Sequence, residues 1–316
     1  MNTSICSLLG CGQDDREYTL ADYEGPMARW CAGCGDHGIL SAAQRLCEAE
    51  QLKPEQTVFV SGIGCSSRFP HYMKTYGFHG IHGRALPVAT GIKLRRPDLS
   101  VFVVMGDGDC CSIGAAHWIH ALRYNVNMVA LLLDNNIYGL TKNQTSPTTP
   151  QGLASNTQPH GSFLPALNPM TVSLGVTNAS FVAQTADWAP GHLYATLQAA
   201  YRHRGFAFVR ILQRCPVWMP EHFQQAVLKP DTTQLLVHAK GIRDPDSELI
   251  YKNHLSHDPA GLTEAHRLAE ASETIRIGLF YRNDAAPRYE EIRQVPVCTA
   301  EKRIEVLNAE FDRYAV

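Results

Sequence analysis

The chain has 316 residues, 45% of them apolar and 18% charged, proportions that suit one large α/β domain or a domain with an appendage. A formal net charge of −2 provides no field to draw it to nucleic acid or to an anionic membrane. No apolar run approaches the ~18 residues of a membrane span, and the opening MNTSICSLLGCGQDDREYTL carries acids where a signal peptide would be apolar. The expected compartment is therefore the cytoplasm, where the ten cysteines stay reduced and metal or cluster ligation is their outlet.

Residues 1–25 are polar and irregular, an arm expected to wrap a neighbouring surface. Cys31-Ala-Gly-Cys34 comes next, with glycines around it. Two thiolates at that spacing can grip a metal centre, though a redox dithiol or a zinc ribbon uses the same pair. A helix is predicted over Gly38–Ala49. From about Thr57 to Arg214 short apolar runs alternate with helical stretches. Val58–Val60, Val101–Met105, Met128–Leu133 and Phe206–Leu212 read as buried parallel strands, and Ile113–Tyr124 and His192–His203 as helices. This alternation predicts a parallel sheet with helices on both faces. Pro216 and Pro220 mark a change of character. The domain is placed at 26–220 and a more charged extension at 221–316, ending in a helix that begins near Thr299. Ile304, Leu307, Phe311 and Tyr314 give that helix one apolar face, to pack on its own domain or on another subunit.

Two strands run straight into glycines, acids and amides: Val101-Phe-Val-Val-Met-Gly-Asp-Gly-Asp109 and Leu131-Leu-Leu-Asp-Asn-Asn-Ile-Tyr-Gly139. Adjacent parallel strands deliver such residues to one carboxyl edge, where ligands bind. Gly106 and Gly108 let the backbone approach an anion closely. Asp107 and Asn135, 28 residues apart, supply hard oxygen ligands of the kind Mg²⁺ takes beside phosphate. The alternative is a mere tight turn. Two more cysteines sit past strands: Cys65, in the glycine-rich Ser61-Gly-Ile-Gly-Cys-Ser-Ser67, and Cys215, just before Pro216. With Cys31 and Cys34 they make four sulfurs near one edge, the number a full cluster site needs. Cys6, Cys11, Cys47, Cys110, Cys111 and Cys298 have no partner pattern. Arg68, three residues beyond Cys65, is a candidate partner for a second substrate carboxylate, against a plain surface role.

The Gly-Asp-Gly segment with its downstream asparagine resembles the thiamine-diphosphate motif. That resemblance implies Mg²⁺ held by Asp107, Asn135 and the carbonyl of Ile137, with Asn136 as the alternative side chain. Thr141-Lys-Asn-Gln144 offers further donors to the diphosphate. Trp30-Cys-Ala-Gly-Cys-Gly35, Gly62-Ile-Gly-Cys-Ser-Ser67, His82-Gly-Arg-Ala-Leu-Pro-Val-Ala-Thr-Gly91 and Tyr138-Gly-Leu-Thr141 complete a set of five segments. In order they resemble the β subunits of 2-oxoacid:ferredoxin oxidoreductases, over roughly residues 25–220, with the 2-oxoglutarate branch nearest. The resemblance implies a thiamine-diphosphate-binding α/β fold of the pyrophosphate-domain type and a [4Fe–4S] cluster on Cys31, Cys34, Cys65 and Cys215. It further implies cofactor contacts from Asp36, Gly64, Gly106, Gly108, Asp109, Tyr138 and Thr141, and an active-site loop carrying His82.

The activity so implied is CoA-dependent oxidative decarboxylation of a 2-oxoacid, with electrons leaving to ferredoxin. Thiamine enzymes need a glutamate against the aminopyrimidine ring, and no segment here supplies one. An α subunit is expected to bring it, in an αβ heterodimer or a dimer of heterodimers, and the chain alone to be inactive. Two rival readings are a thiamine decarboxylase or synthase without redox chemistry, and a scaffold subunit with a four-cysteine zinc site.

Overall fold

The computed structural model describes residues 16–270, 274–293 and 299–314. Cys6, Cys11 and Cys298 lie outside them. The four expected strands are present as β1 (Thr57–Ser61), β3 (Ser100–Gly106), β4 (Met128–Asp134) and β8 (Phe206–Leu212). Their runs are apolar without interruption because both faces are covered. Successive side chains alternate sides: Val58, Val60, Val101 and Val103 enter one core, and Phe59, Phe102 and Val104 the other.

Helices α1 (Asp36–Ala49) and α5 (Pro190–Arg202) cover the phenylalanine side, through Ile39, Leu46, Leu193 and Leu197. On the opposite face lie α2 (Ala85–Arg95), α3 (Ala115–Tyr124), α4 (Pro169–Gly175) and α6 (Leu262–Ala269), contributing Leu86, Trp118, Met170 and Leu268. The helix expected from Ile113 starts two residues later, because Asp109–Ile113 forms a wider π turn after β3. Asn125, left-handed at φ 52°, ends it.

Five further strands join the sheet. These are the exposed edge strand β2 (Tyr76–His79), β7 (Phe181–Ala186), and β9 (Thr233–Val237), β10 (Asn253–Ser256) and β11 (Ile275–Arg282). The order is β10-β9-β11-β7-β8-β4-β3-β1-β2. The sheet is mostly parallel. The exception is β11, which runs antiparallel to β7 and so turns β9–β11 against the rest. The C-terminal extension is therefore built into the same sheet. A short hairpin, β5 (Ile137–Tyr138) with β6 (Gln144–Thr145), stands outside it.

The last helix, α7 (Ala300–Tyr314), forms where expected, but none of its side chains is buried. Ile304, Leu307, Phe311 and Tyr314 are all exposed. Packing on its own domain is thus not what the structure shows. Among the described residues no helix is long and apolar enough to cross a membrane.

Candidate cofactor and thiol site

β3 and β4 pair in parallel with Gly106 beside Leu133, so Asp107 and Asn135 leave the sheet together at its carboxyl edge. A cavity of about 270 Å³ opens there. Gly106, Asp107, Gly108 and Asp109 form one wall, and Asn135, Ile137, Tyr138 and Thr141 a second. Gly64 and His82 close it from the loops after β1 and β2. The two asparagines point different ways. Asn136 is left-handed (φ 61°) and its side chain turns off the cavity, donating to Asp134 Oδ1 (3.1 Å) and Thr148 O (2.8 Å) and accepting from His222 (2.5 Å). Asn135 stays on the wall, where its Oδ1 accepts the Ile137 N–H (3.2 Å).

Asp107 is 3% exposed, and its Oδ2 accepts from Ser146 Oγ (2.5 Å) and Thr148 Oγ1 (2.7 Å). Burial, and then the neighbouring Asp134, push its carboxyl up to about 7. Asp109 is a strut for the loops. Its Oδ1 accepts the N–H groups of Gly83 (2.6 Å) and Ile63 (3.2 Å), with His82 Nδ1 2.9 Å away. Gly108 must be glycine: a Cβ there would meet the Tyr138 ring at 2.0 Å, and the Tyr138 hydroxyl donates to Gly108 O (2.9 Å). The wall fits a hard cation with a phosphate anion. It pairs a carboxylate with an amide oxygen, and the buried Ser66 hydroxyl beside them has no partner among the described residues.

The four thiols are drawn together by backbone stitches. Gly35 N–H donates to Arg214 O (3.1 Å), joining the Cys31–Cys34 turn to the segment carrying Cys215. Trp30 Nε1 donates to Cys65 O (2.7 Å). Sγ of Cys65 and of Cys215 lie 3.7 and 3.9 Å from the place a Cβ on Gly139 would take. Burial, then Asp36 and the thiols of Cys215 and Cys65, push the Cys34 thiol well up. Cys65 is pushed up to about 12 by burial, by Asp36 and by the thiols of Cys215 and Cys31. Cys65 also lines the cavity of Asp107, so thiols and cavity share a wall. Among the described residues no three His, Cys, Asp or Glu side chains converge on one ion.

Two of the candidate residues lie off this cavity's lining. Asp36 opens α1 with no exposed surface, beside Cys34 and off the cavity wall, and burial pushes its carboxyl up to about 7. Arg68 is carried away by the tight Ser66–His71 helix, which lays its guanidinium over the Tyr72 ring at 5.7 Å. It is absent from the cavity lining. The sequence reading missed Ser146, Thr148 and Gln213, which bond to the site residues. Their one signal is position, two of them just past the hairpin and one beside Cys215.

Residues 62–211 match the family model for the thiamine pyrophosphate enzyme C-terminal TPP-binding domain. The 2-oxoglutarate oxidoreductase subunit KorB of Mycobacterium tuberculosis is 52% identical over 190 residues, 60% of this chain and 51% of that protein. The chain thus spans about half the length of that relative. A 2-oxoacid:ferredoxin oxidoreductase β subunit from Sulfolobus is 37% identical over 268 residues, 83% of this chain and 84% of the relative. The chain belongs to the β subunits of 2-oxoacid:ferredoxin oxidoreductases. A solved 2-oxoglutarate:ferredoxin oxidoreductase of Magnetococcus marinus, with 2-oxoglutarate, coenzyme A and succinyl-CoA bound, superimposes with a TM-score of 0.79. It is 33% identical, over 93% of this β subunit and 97% of that chain. The extension is therefore common ground with that neighbour.

Proposed function

We propose that this β subunit, with an α subunit, carries out CoA-dependent oxidative decarboxylation of a 2-oxoacid, 2-oxoglutarate to succinyl-CoA and CO₂, passing electrons to ferredoxin. The observation that carries the reading is the shared wall, with Cys65 lining the same cavity as Asp107 and Asn135. Names and bound molecules of the relatives support the substrate and the acceptor. Asp107, Asn135 and the Ile137 carbonyl would hold Mg²⁺, while Cys31, Cys34, Cys65 and Cys215 would ligate a [4Fe–4S] cluster. Bound there, thiamine diphosphate supplies the nucleophilic carbon and electron sink, and the cluster a one-electron outlet.

The chain's own residues prepare that chemistry. Asp109 holds the Ile63 and Gly83 loops over the cavity, and His82 stands at its mouth with its side chain 34% exposed. Tyr138 keeps the Gly106–Gly108 turn in place through the carbonyl of Gly108. The activating glutamate comes from the α subunit, and the complex works in the cytoplasm.

The test is co-expression with the α partner and anaerobic purification. Bound iron, sulfide and thiamine diphosphate are then measured, and ferredoxin reduction is assayed with several 2-oxoacids and CoA. A brown complex reducing ferredoxin fastest with 2-oxoglutarate is expected. Colourless protein with zinc and no thiamine diphosphate would overturn the reading.

A further inference from the structure

One side chain touches both halves of the site. Gln213, just past β8 and 2% exposed, makes three side-chain hydrogen bonds. Its Oε1 accepts from Asn135 Nδ2 (2.8 Å), and its Nε2 donates to Arg214 O (2.6 Å) and to Cys34 Sγ (3.3 Å). Its backbone N–H donates to Asp134 O (3.0 Å), fixing the residue to the end of β4. The direction of the chain is dictated. The Arg214 carbonyl can only accept, so Nε2 faces it and Cys34. Asn135 Oδ1 takes the Ile137 N–H, so its Nδ2 is left for Gln213.

We propose that Gln213 is a positioning residue that couples the cofactor's cation to the potential of the cluster. The inference rests on the proposed roles of Asn135 as a Mg²⁺ ligand and Cys34 as a cluster ligand. An N–H aimed at a cluster thiolate stabilises the reduced, more negative state and so raises the potential. A cation drawing on Asn135 Oδ1 polarises that amide, making its Nδ2 a stronger donor to Gln213. Bonds in series strengthen one another, so Gln213 in turn donates more strongly to Cys34. Filling the cofactor site therefore makes the cluster a better electron acceptor, at the time the reaction has electrons to deliver. Asn135 is also held on the cavity wall by the same amide.

The experiment uses the anaerobically purified αβ complex and an EPR-monitored redox titration, with and without Mg²⁺–thiamine diphosphate. Wild type should show a higher cluster potential when loaded. Gln213→Met, similar in length and without a donor, should lower the potential. The expected change is about tenfold in the reduced-to-oxidised ratio at fixed potential, ~59 mV for one electron. It should also abolish the difference between loaded and empty complexes. Gln213→Glu, with an acceptor where the donor stood, should lower the potential at least as far. Unchanged potentials in both variants, with full iron content, overturn the coupling. If Gln213→Met does not assemble, Gln213→Glu alone decides, an unshifted potential refuting the proposal. Wild-type complex lacking iron or Mg²⁺-dependent cofactor binding overturns the underlying reading, and this inference with it.

Discussion

The carboxyl edge of β1, β3 and β4 and the packed faces of the same sheet both bury ionisable groups, with opposite consequences. On the faces, burial holds His192 and His203 at about 4 and pushes the Cys47 thiol up to about 12. Those are the neutral forms, which suit packing against Thr185 and Ser180. At the edge, burial pushes Asp107 up to about 7, and burial with the neighbouring Asp36, Cys215 and Cys31 pushes Cys65 up to about 12. Under the proposed function Asp107 serves there as an anion, and burial holds it in the wrong charge state until a cation arrives. Such an arrangement costs stability unless a metal compensates it. The contrast separates residues that build the fold from residues to which the proposed function gives a ligand.

The largest effect should come from the thiols. Cys65→Ala should strip the cluster and lower ferredoxin reduction by roughly 100-fold or more, beyond the ~10- to 100-fold typical of an outer-shell loss. Cys47→Ala, inside α1, should keep its iron and lose only core packing. Iron and sulfide assays on the anaerobic complex read both, and equal iron in the two variants would break the contrast. Next come two glycines. Gly108→Ala drives a methyl into Tyr138 and should destabilise by about 1–3 kcal/mol. Gly91→Ala, on α2 with open space around it, should stabilise by about 1 kcal/mol. Thermal unfolding gives the two signs.

The smallest effect is in pH. The folded pKa of Asp107 lies above its unfolded value of 3.8, so without cofactor its contribution favours the folded state at acid pH and is lost as pH rises from about 4 through 7. Ligating a cation expels the proton, so the affinity for Mg²⁺–thiamine diphosphate should fall about tenfold per unit below pH 7 and level off above it. His192 and His203 act oppositely: their folded values lie below 6.5, and stability is lost as pH falls from 6.5 toward 4. Calorimetry of binding from pH 6 to 8 tests the first. A flat affinity there would mean Asp107 is ionised before the cation binds.

Much of this was legible in particular runs of residues. Val101–Met105 and Met128–Leu133 could only be buried strands, and the glycines, acids and amides just beyond them had to emerge at one edge. β2 escaped notice because Tyr76-Gly-Phe-His79 is an exposed edge strand with no burial pattern. β9–β11 escaped because their attachment to β7, made through β11 alone, is a long-range fact, unseen in any local window.

The linear order of residues determined by itself the parallel core and the strand ends that carry Asp107 and Asn135 to one edge, since period, glycine and spacing are local properties of the chain. Only the tertiary structure decided that Asn135 rather than Asn136 lines the cavity, that Asp36 and Arg68 do not, and that Gln213 spans the distance between Asn135 and Cys34. Those outcomes depend on side-chain direction, and direction is set by a left-handed turn, a tight helix and a neighbouring strand, none of which is written in the residues themselves.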